Sequence, residues 1–218
     1  MVKAVPSLSP RGLRTRTKLV AAARTVFERD GFASAKITDI AKRAKVAVGS
    51  FYTYFDSKDA VFRAVVEAIG GELAAPLPRE VGADPLARIE AGNRAYVHVY
   101  AKNARILAVM QHRTFEDPAM HALRQHGRRL FIDRAERALR RLQSDRRIPD
   151  DVRPRFAAMA LAGMVHSFCY EAFALGAADV VTASAQSVEQ ITAGLTTLWA
   201  RAIGLAPVTA RAATRKAS

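Results

Sequence analysis

Hydroxyl-bearing and basic side chains are dense between residues 38 and 58 of this 218-residue chain. Hydroxyl and ammonium groups are suitable partners for phosphate oxygens, and a threonine methyl can contact the methyl group of thymine. The chemistry that this stretch could perform is therefore the non-covalent binding of a polyanion. The side chains concerned are Thr38, Lys45, Ser50, Tyr52, Thr53, Tyr54 and Lys58.

The charge of the chain points the same way. Lysine and arginine outnumber aspartate and glutamate by 34 to 20, which gives a net charge of +14 and an isoelectric point near 10.7. Residues 1–56 hold eleven basic and four acidic side chains, so half of the net charge lies in this part of the chain. A basic excess of this kind favours nucleic acid or an anionic membrane as partner, and its concentration at one end favours DNA.

The spacing of apolar residues predicts two short helices joined by a tight turn. Thr38 is expected to cap the first helix, and residues 45–47 fit the turn. The second helix is predicted to begin at Val48, with Phe51 and Phe55 on its inner face at i, i+4 spacing. Two helices connected in this way have helix-turn-helix geometry, in which the second helix presents polar side chains.

One helix on either side completes the predicted N-terminal unit. Leu19, Val26 and Phe27 recur at helical spacing, and Gly31 stands where a glycine ends a helix. Downstream, Ser57 is expected to cap a fourth helix. The first of these helices would brace the helix-turn-helix pair, and the N-terminal amides of the fourth would face a phosphate.

The order of residues across this unit resembles the N-terminal DNA-binding domain of the TetR (tetracycline-repressor-like, or AcrR-type) family of bacterial transcriptional regulators. The resemblance runs from about residue 15 to residue 68, and the remainder of the chain shows no motif of its own. It is carried by Ala23, Phe27, Gly31, Phe32, Thr38, Ile40, Ala41, Val46, the run from Phe51 to Phe55, Ser57, Lys58, Asp59, Val61 and Phe62.

The resemblance implies a role for each polar residue around the second helix. Val48, Gly49 and Thr53 match family positions that approach base edges in the major groove. Because Gly49 has no side chain, more of the readout would fall to DNA shape or to Lys45. The residues that match phosphate-contacting positions are Thr38, Ser50, Tyr52, Tyr54 and Lys58. The alternative for the two tyrosines is that they only pack against the core.

The whole chain is predicted to be all-α, with a helix-turn-helix head followed by a larger helical domain. We divide it into a flexible basic arm (1–14), a DNA-binding domain (15–69), an effector-binding and dimerisation domain (70–206) and a basic disordered tail (207–218). The division after residue 69 rests on the glycines and prolines that follow it.

The resemblance also implies a homodimer, because one helix-turn-helix unit contacts too few bases for specificity and two are usually placed one helical turn apart. The last two long helices are the expected interface, with small residues in one helix and bulkier residues at steps of three and four in the other. The alternative is that both faces are used inside one subunit. The interface candidates are Ala158, Ala162, Val188, Ile191, Leu195, Leu198 and Ala202.

Regulators that this chain resembles hold a small molecule inside the helical domain, and aromatic and soft side chains occur here at suitable places. Such stripes also form ordinary cores, and the polar residues among them would then be satisfied within the protein. Arg113 and Arg128 would suit an anionic ligand. The pocket candidates are Asn93, Tyr96, Tyr100, Met110, Phe115, Phe131, Met159, His166, Phe168 and Phe173.

The sequence offers little support for catalysis or for a cofactor. The five histidines do not form a spaced metal motif, and His112 with Glu116 would supply only two ligands, so we expect no metal. Cys169 is the single cysteine, which excludes an intramolecular disulfide and suggests a buried thiol. No apolar run of membrane-spanning length and no secretory signal is evident, so a cytoplasmic protein without a membrane partner is expected.

The sequence therefore predicts a ligand-responsive transcriptional regulator, a repressor by default, that binds a palindromic operator as a homodimer and is released by a small apolar or amphipathic effector. Two alternatives belong to other classes. An architectural protein would bind DNA without sequence preference, with steep salt dependence and no protected site. A helical enzyme would consume its ligand and lose this activity when His112 or His166 is replaced.

Overall fold

A computed structural model describes residues 8–76, 84–176 and 185–205 of the chain. Within these ranges all regular structure is helical, which confirms the predicted all-α class. The helices are α1 (Pro10–Ser34), α2 (Ile37–Ala44), α3 (Val48–Tyr52), α4 (Lys58–Leu73), α5 (Pro85–Lys102), α6 (Ala104–Arg113), α7 (Pro118–Ser144), α8 (Pro154–Cys169, continued by a π-helical turn at Tyr170–Ala174) and α9 (Ala185–Ala202).

The N-terminal head consists of α1, α2, α3 and the first half of α4. Its core is formed by large apolar side chains that are almost inaccessible to solvent, and three aromatic rings meet where α1 turns toward α2. Phe62 lies edge-on to both Phe27 and Phe32, with ring centroids 5.2 and 4.8 Å away. Phe51 and Phe55 point into this core, as their spacing predicts. Because α3 is anchored from one side only, its other faces remain accessible.

Helix α1 starts earlier than predicted. It begins at Pro10, where the Ser9 hydroxyl accepts a hydrogen bond from the Gly12 amide at 3.2 Å and a proline favours the first turn. The prediction of a flexible arm is therefore wrong for residues 10–14, and residues 1–7 lie outside the described part. At its other end, Gly31 has φ +74°, a conformation that strongly favours glycine, and the chain bends there as the sequence suggests.

The helix caps partly follow the sequence. Ser57 caps α4 as predicted, with its hydroxyl 3.1 Å from the Ala60 amide. The prediction that Thr38 caps α2 is wrong, because α2 begins one residue before it and Lys36 occupies the cap position without a side-chain hydrogen bond. Thr38 lies instead in the first turn of α2, with its side chain exposed. Helix α4 also runs through the two glycines that were expected to end it and stops at Leu73.

The second domain is built from α5 to α9. Helix α5 packs along α9, and α7 packs along α8, while α6 lies between this domain and the head. Asp84 caps α5 through a 2.9 Å hydrogen bond from the Ala87 amide, and Asp117 caps α7 at 2.8 Å from the Ala119 amide. Helix α4 crosses from the head into this domain, so it physically links the two.

The apolar helix α8 is less buried than its composition predicts. Its side chains at Phe156, Met159 and Phe168 are 63, 46 and 37% exposed, so one face has no neighbour within the subunit. The span Pro154–Ala174 is also long and apolar enough to cross a membrane by length and composition, and a third of it is buried in the fold. The prediction that no run of this kind exists is therefore wrong, although a core helix of a soluble protein can satisfy the same criteria.

Candidate functional site

The exposed faces of α2 and α3 carry the residues predicted to contact DNA. Thr38, Lys45, Gly49 and Thr53 are exposed, as are Val48 (41%) and Tyr52 (54%). Ser50, Tyr54 and Lys58 are half-buried. Phe51 on the opposite side of α3 is fully buried and is in edge contact with Tyr52, at 5.4 Å between ring centroids. The local fold thus leaves most of the side chains predicted to contact DNA accessible to solvent.

The turn between α2 and α3 depends on an unusual backbone conformation at Lys45. This residue has φ 57° and ψ 46°, and its amide donates to the carbonyls of Ala41 and Lys42. The Val46 amide also donates to Ala41, at 3.0 Å, which closes the end of α2. A glycine usually occupies such a position, since a side chain there costs about 1 kcal/mol. Lys45 nevertheless places an exposed cation beside the start of α3.

Lys58 has contacts that the sequence did not reveal. Its ammonium group donates hydrogen bonds to the carbonyls of Ala33 and Ala35, at 2.9 and 3.1 Å. It also lies 4.8 Å from the centre of the Phe32 ring. An ammonium group has three donors, so one remains for a phosphate. Lys58 therefore stabilises the link between α1 and α2, and its phosphate contact stays a prediction.

A cavity of about 290 Å³ lies in the second domain and is lined mainly by apolar side chains. It is bounded by the second half of α4 and by α5, α6, α7 and α8. Five of the ten predicted pocket residues line it, namely Tyr96, Tyr100, Met110, Phe131 and His166. The sequence reasoning missed Val66, Glu67, Leu73, Leu107, Leu123, Arg124 and His126. Steps of four and three could have indicated a shared face on α4 and on α7, although not that this face borders a cavity; the residues concerned are Val66, Gly70 and Leu73 on α4, and Leu123, Gly127 and Leu130 on α7.

The other five predicted pocket residues lie elsewhere. Asn93 is buried and donates to the Thr196 hydroxyl at 3.2 Å, so its polarity is satisfied between α5 and α9. Phe115 is 82% exposed in the loop before α7, and Met159 and Phe168 lie on the exposed face of α8. Phe173 packs against the core without lining the cavity. These assignments are corrected because helical spacing alone does not tell which face meets the cavity.

Arg113 was also predicted to lie beside the pocket, but it does not line the cavity. Its guanidinium binds the Asp59 carboxylate and lies 4.5 Å from the centre of the Phe32 ring. It thereby joins the end of α6 to the start of α4 in the head. Arg128 does line the cavity, as predicted.

His166 is the centre of a polar group at the wall of the cavity. Its Nδ1 atom is 3.1 Å from the Tyr96 hydroxyl, and its Nε2 atom is 3.4 Å from an Arg124 guanidinium nitrogen. Burial, with the charges of Arg124 and Arg128, lowers the pKa of His166 to about 4. The imidazole is therefore neutral near pH 7.

The neighbours of His166 are also held in their uncharged forms. Burial raises the pKa values of the Tyr96 and Tyr100 hydroxyls well above their usual range. Burial likewise raises the pKa of Cys169 to about 12, so its thiol is protonated and inert, as the sequence suggests. Among the described residues, no three histidine, cysteine or acidic side chains are placed to hold a metal ion.

The predicted dimer interface falls on two different faces. Ala158, Ala162, Ile191 and Leu195 are buried inside the subunit, because this side of α9 packs on α5 and that side of α8 packs on α7. Val188 is half-buried. Leu198 is 52% exposed and Ala202 is exposed, so these two remain available to a partner. These four buried residues are therefore core residues of the subunit and not interface residues. For them the alternative holds that the helix faces are used inside one subunit.

Comparison with known proteins identifies the N-terminal unit. Residues 19–65 match the profile of the family described as bacterial regulatory proteins, tetR family. The N-terminal head therefore matches the TetR family. The matched residues span the core of α1, both helices of the helix-turn-helix pair and the first half of α4. The predicted relationship is thereby confirmed.

The relatives match only a part of this chain. It is 37% identical over 59 residues to the uncharacterised HTH-type transcriptional regulator YdgC of Bacillus subtilis, covering 27% of this chain and 30% of YdgC. It is 30% identical over 94 residues to the A-factor receptor protein of Streptomyces griseus, covering 43% of this chain and 33% of the receptor. The matches thus span about a third of the length of these relatives.

The likeness in fold extends over most of the chain. The structure of the SmeT–triclosan complex superimposes with a TM-score of 0.66, at 21% identity, over 87% of this chain and 91% of SmeT. At this identity the comparison establishes the helical architecture of both domains. It does not transfer the ligand of SmeT.

Proposed function

We propose that this protein is a DNA-binding transcriptional regulator that responds to a small molecule. The observation that carries the proposal is the surface of α2 and α3. In a head that matches the TetR family, Phe51 anchors α3 and Phe55 anchors the chain just after it, while Val48, Tyr52 and Thr53 are exposed. Hydroxyl and basic groups on such a surface suit the phosphates and base edges of the major groove.

A homodimer on a palindromic operator is the second part of the proposal. It is supported by the apolar face of α8 and α9 that the subunit leaves uncovered, with Phe156, Met159, Phe168 and Leu198 exposed. The space around Gly163 and Gly194 is open, so a second helix could approach closely at these two points. A second copy of the chain would bury this face and place two heads on one side of the dimer.

Release from DNA would pass through α6 and α4, which border both the cavity and the head. Leu107 and Met110 of α6 line the cavity, while Arg105 donates to the Glu28 carbonyl at 3.0 Å and Arg113 binds Asp59. A ligand that displaces α6 would therefore move the head. To act as an inducer, it must bind the conformation that is released from DNA more tightly than the other. Repression in the cytoplasm, relieved by such a ligand, is the mechanism we propose.

The experiment is a footprint of the purified full-length protein on DNA flanking its own gene, at physiological salt with competitor DNA. A short palindromic protected region is the expected result. DNA from random-sequence selection serves as a second template if the operator lies elsewhere. Diffuse coverage of every template, abolished by competitor, would favour the architectural alternative and contradict the proposal.

Thr53→Ala sharpens this experiment. If Thr53 reads a base, the variant should weaken binding to the protected site by about 1–3 kcal/mol more than binding to random DNA. Ser144→Ala is the control, because Ser144 is an exposed hydroxyl side chain at the end of α7, outside the head and outside α8 and α9. An equal loss on both DNAs would place Thr53 on the backbone rather than on a base.

A further inference from the structure

The cavity combines an apolar body with unpaired cations at one wall. We propose that it takes an anionic amphiphile, namely a small carboxylate whose apolar tail fills the cavity and whose acid group binds Arg124 and Arg128. This inference rests on the proposed function, in which the same cavity holds the effector.

The body of the cavity accounts for the tail. Val66 and Leu73 from α4, Leu107 and Met110 from α6, and Phe131 from α7 line it. A volume of about 290 Å³ holds roughly ten non-hydrogen atoms, at ~30 Å³ for each water-sized group. A carboxylate with eight carbons has this size.

The two arginines account for the acid group. Arg124 and Arg128 stand four residues apart on α7, so their side chains share one face of the helix. Arg124 is half-buried, and among the described contacts neither guanidinium is paired with a carboxylate. Burial and the charge of Arg128 lower the pKa of Arg124. Two neighbouring positive charges at the wall of an apolar cavity attract an anion. A guanidinium group binds a carboxylate through two parallel hydrogen bonds.

The acidic residue of the lining lies on a different element from these arginines. Glu67 belongs to α4 and is exposed. The formal charges that act on His166, at the inner wall, are those of Arg124 and Arg128. The lining thus carries two guanidinium groups against one carboxylate, and its formal charge is positive in spite of Glu67.

The hydrogen bonds of His166 add a donor to this wall. A guanidinium can only donate, so the Nε2 atom of His166 accepts from Arg124, and in the neutral ring Nδ1 carries the proton. Nδ1 then donates to the Tyr96 oxygen, which leaves the Tyr96 hydroxyl proton free. Tyr96 lines the cavity, and it offers this proton to a second acceptor on the ligand.

The test is calorimetric titration of the full-length protein, without DNA, with octanoate, 1-octanol and octylamine. These probes share the tail and differ in charge. Octanoate is expected to bind about 10-fold or more tightly than either of the others, since hydrogen bonds to charged groups are the stronger ones. Equal or tighter binding of octanol or octylamine, or no binding by all three, would overturn the proposal.

Variants assign the effect to the arginines. Arg124→Gln keeps a donor for His166 but removes the charge, and it should weaken octanoate about 10-fold while leaving octanol unchanged. Arg128→Gln, at an exposed position where folding is not at risk, should weaken octanoate in the same direction. Arg129→Gln is the control, because Arg129 is exposed on α7 and does not line the cavity. Unchanged octanoate binding in both cavity variants would refute the role of the arginines.

The result is separable from the proposed function. Tight, arginine-dependent binding of octanoate without release of DNA in the footprint would support the ligand class and contradict the effector role. If the ligand-free protein protects no specific DNA site, the proposed DNA recognition is contradicted. The calorimetric result on ligand binding is then still valid.

Discussion

Replacing His166 by glutamine should remove a large part of the pH dependence of stability. Glutamine can accept from Arg124 and donate to Tyr96, as the neutral imidazole does, but it cannot take up a proton. The pKa of His166 is about 4 in the folded protein, against 6.5 for the free side chain. The unfolded chain therefore binds a proton at a higher pH than the native protein, and stability is lost as the pH falls from 6.5 toward 4.

The size of the loss follows from the two pKa values. Above pH 7 the imidazole is neutral in both states and makes no difference. At pH 5 the unfolded state is largely protonated and the native state is not, so the free energy of unfolding should be about 2 kcal/mol lower than at pH 7.5. Below pH 4 both states are protonated and the loss reaches its limit.

The assay is urea unfolding of the wild type and of His166→Gln at pH 7.5, 6 and 5. The carboxylates of Asp117 and Glu136, whose pKa values are lowered by hydrogen bonds, also weaken the fold in acid. They are present in both proteins, so the difference between the two pH profiles isolates His166. His98→Gln, at an exposed position of α5, is the control and should follow the wild type.

The reasoning would be refuted by parallel profiles. If wild type and His166→Gln lose the same free energy between pH 7.5 and 5, to within about 0.5 kcal/mol, then His166 is protonated with little penalty in the native protein. Its environment would then be wetter than the packing around Tyr96 and Arg124 indicates. A change in the denaturant slope would signal altered compactness and would have to be excluded first.

Three further substitutions test the contacts described above. Lys58→Ala should lower the free energy of unfolding by about 1–2 kcal/mol, since two carbonyls lose their donor, and should reduce the salt slope of DNA binding by about one unit. The control is Lys102→Ala, at an exposed lysine that ends α5. A slope equal to that of the control would remove Lys58 from the phosphate contacts. Arg113→Ala should lower the free energy of unfolding by about 1–2 kcal/mol through loss of its ring contact and ion pair; no change in urea unfolding would contradict its bridging role. Leu198→Glu should turn a dimer into a monomer in sedimentation, whereas Leu13→Glu, at an exposed leucine in the head, should not; a dimer in both would place the interface elsewhere.

What local sequence determines here is the head. Its helices are specified by short-range signals: a glycine at the end of α1, a serine cap on α4, and two phenylalanines at i, i+4 that orient α3. Each signal acts within a few residues, so it can be interpreted without knowing the rest of the fold. Even here Thr38 misled, because a threonine near a helix start serves equally well in the first turn.

Tertiary structure decided which helix faces meet in the second domain. Ile191 and Leu198 belong to the same apolar pattern of α9, yet one is buried against α5 and the other is exposed. Periodicity states that a helix has an apolar face, but the rotation of that helix against its neighbours determines what the face contacts. The packing of α7 against α8 also brings Arg124 to His166, 42 residues away in sequence, whereas Phe115 lies exposed in the loop before α7. The cavity is therefore a property of packing between five helices, and no single stretch of the chain encodes it.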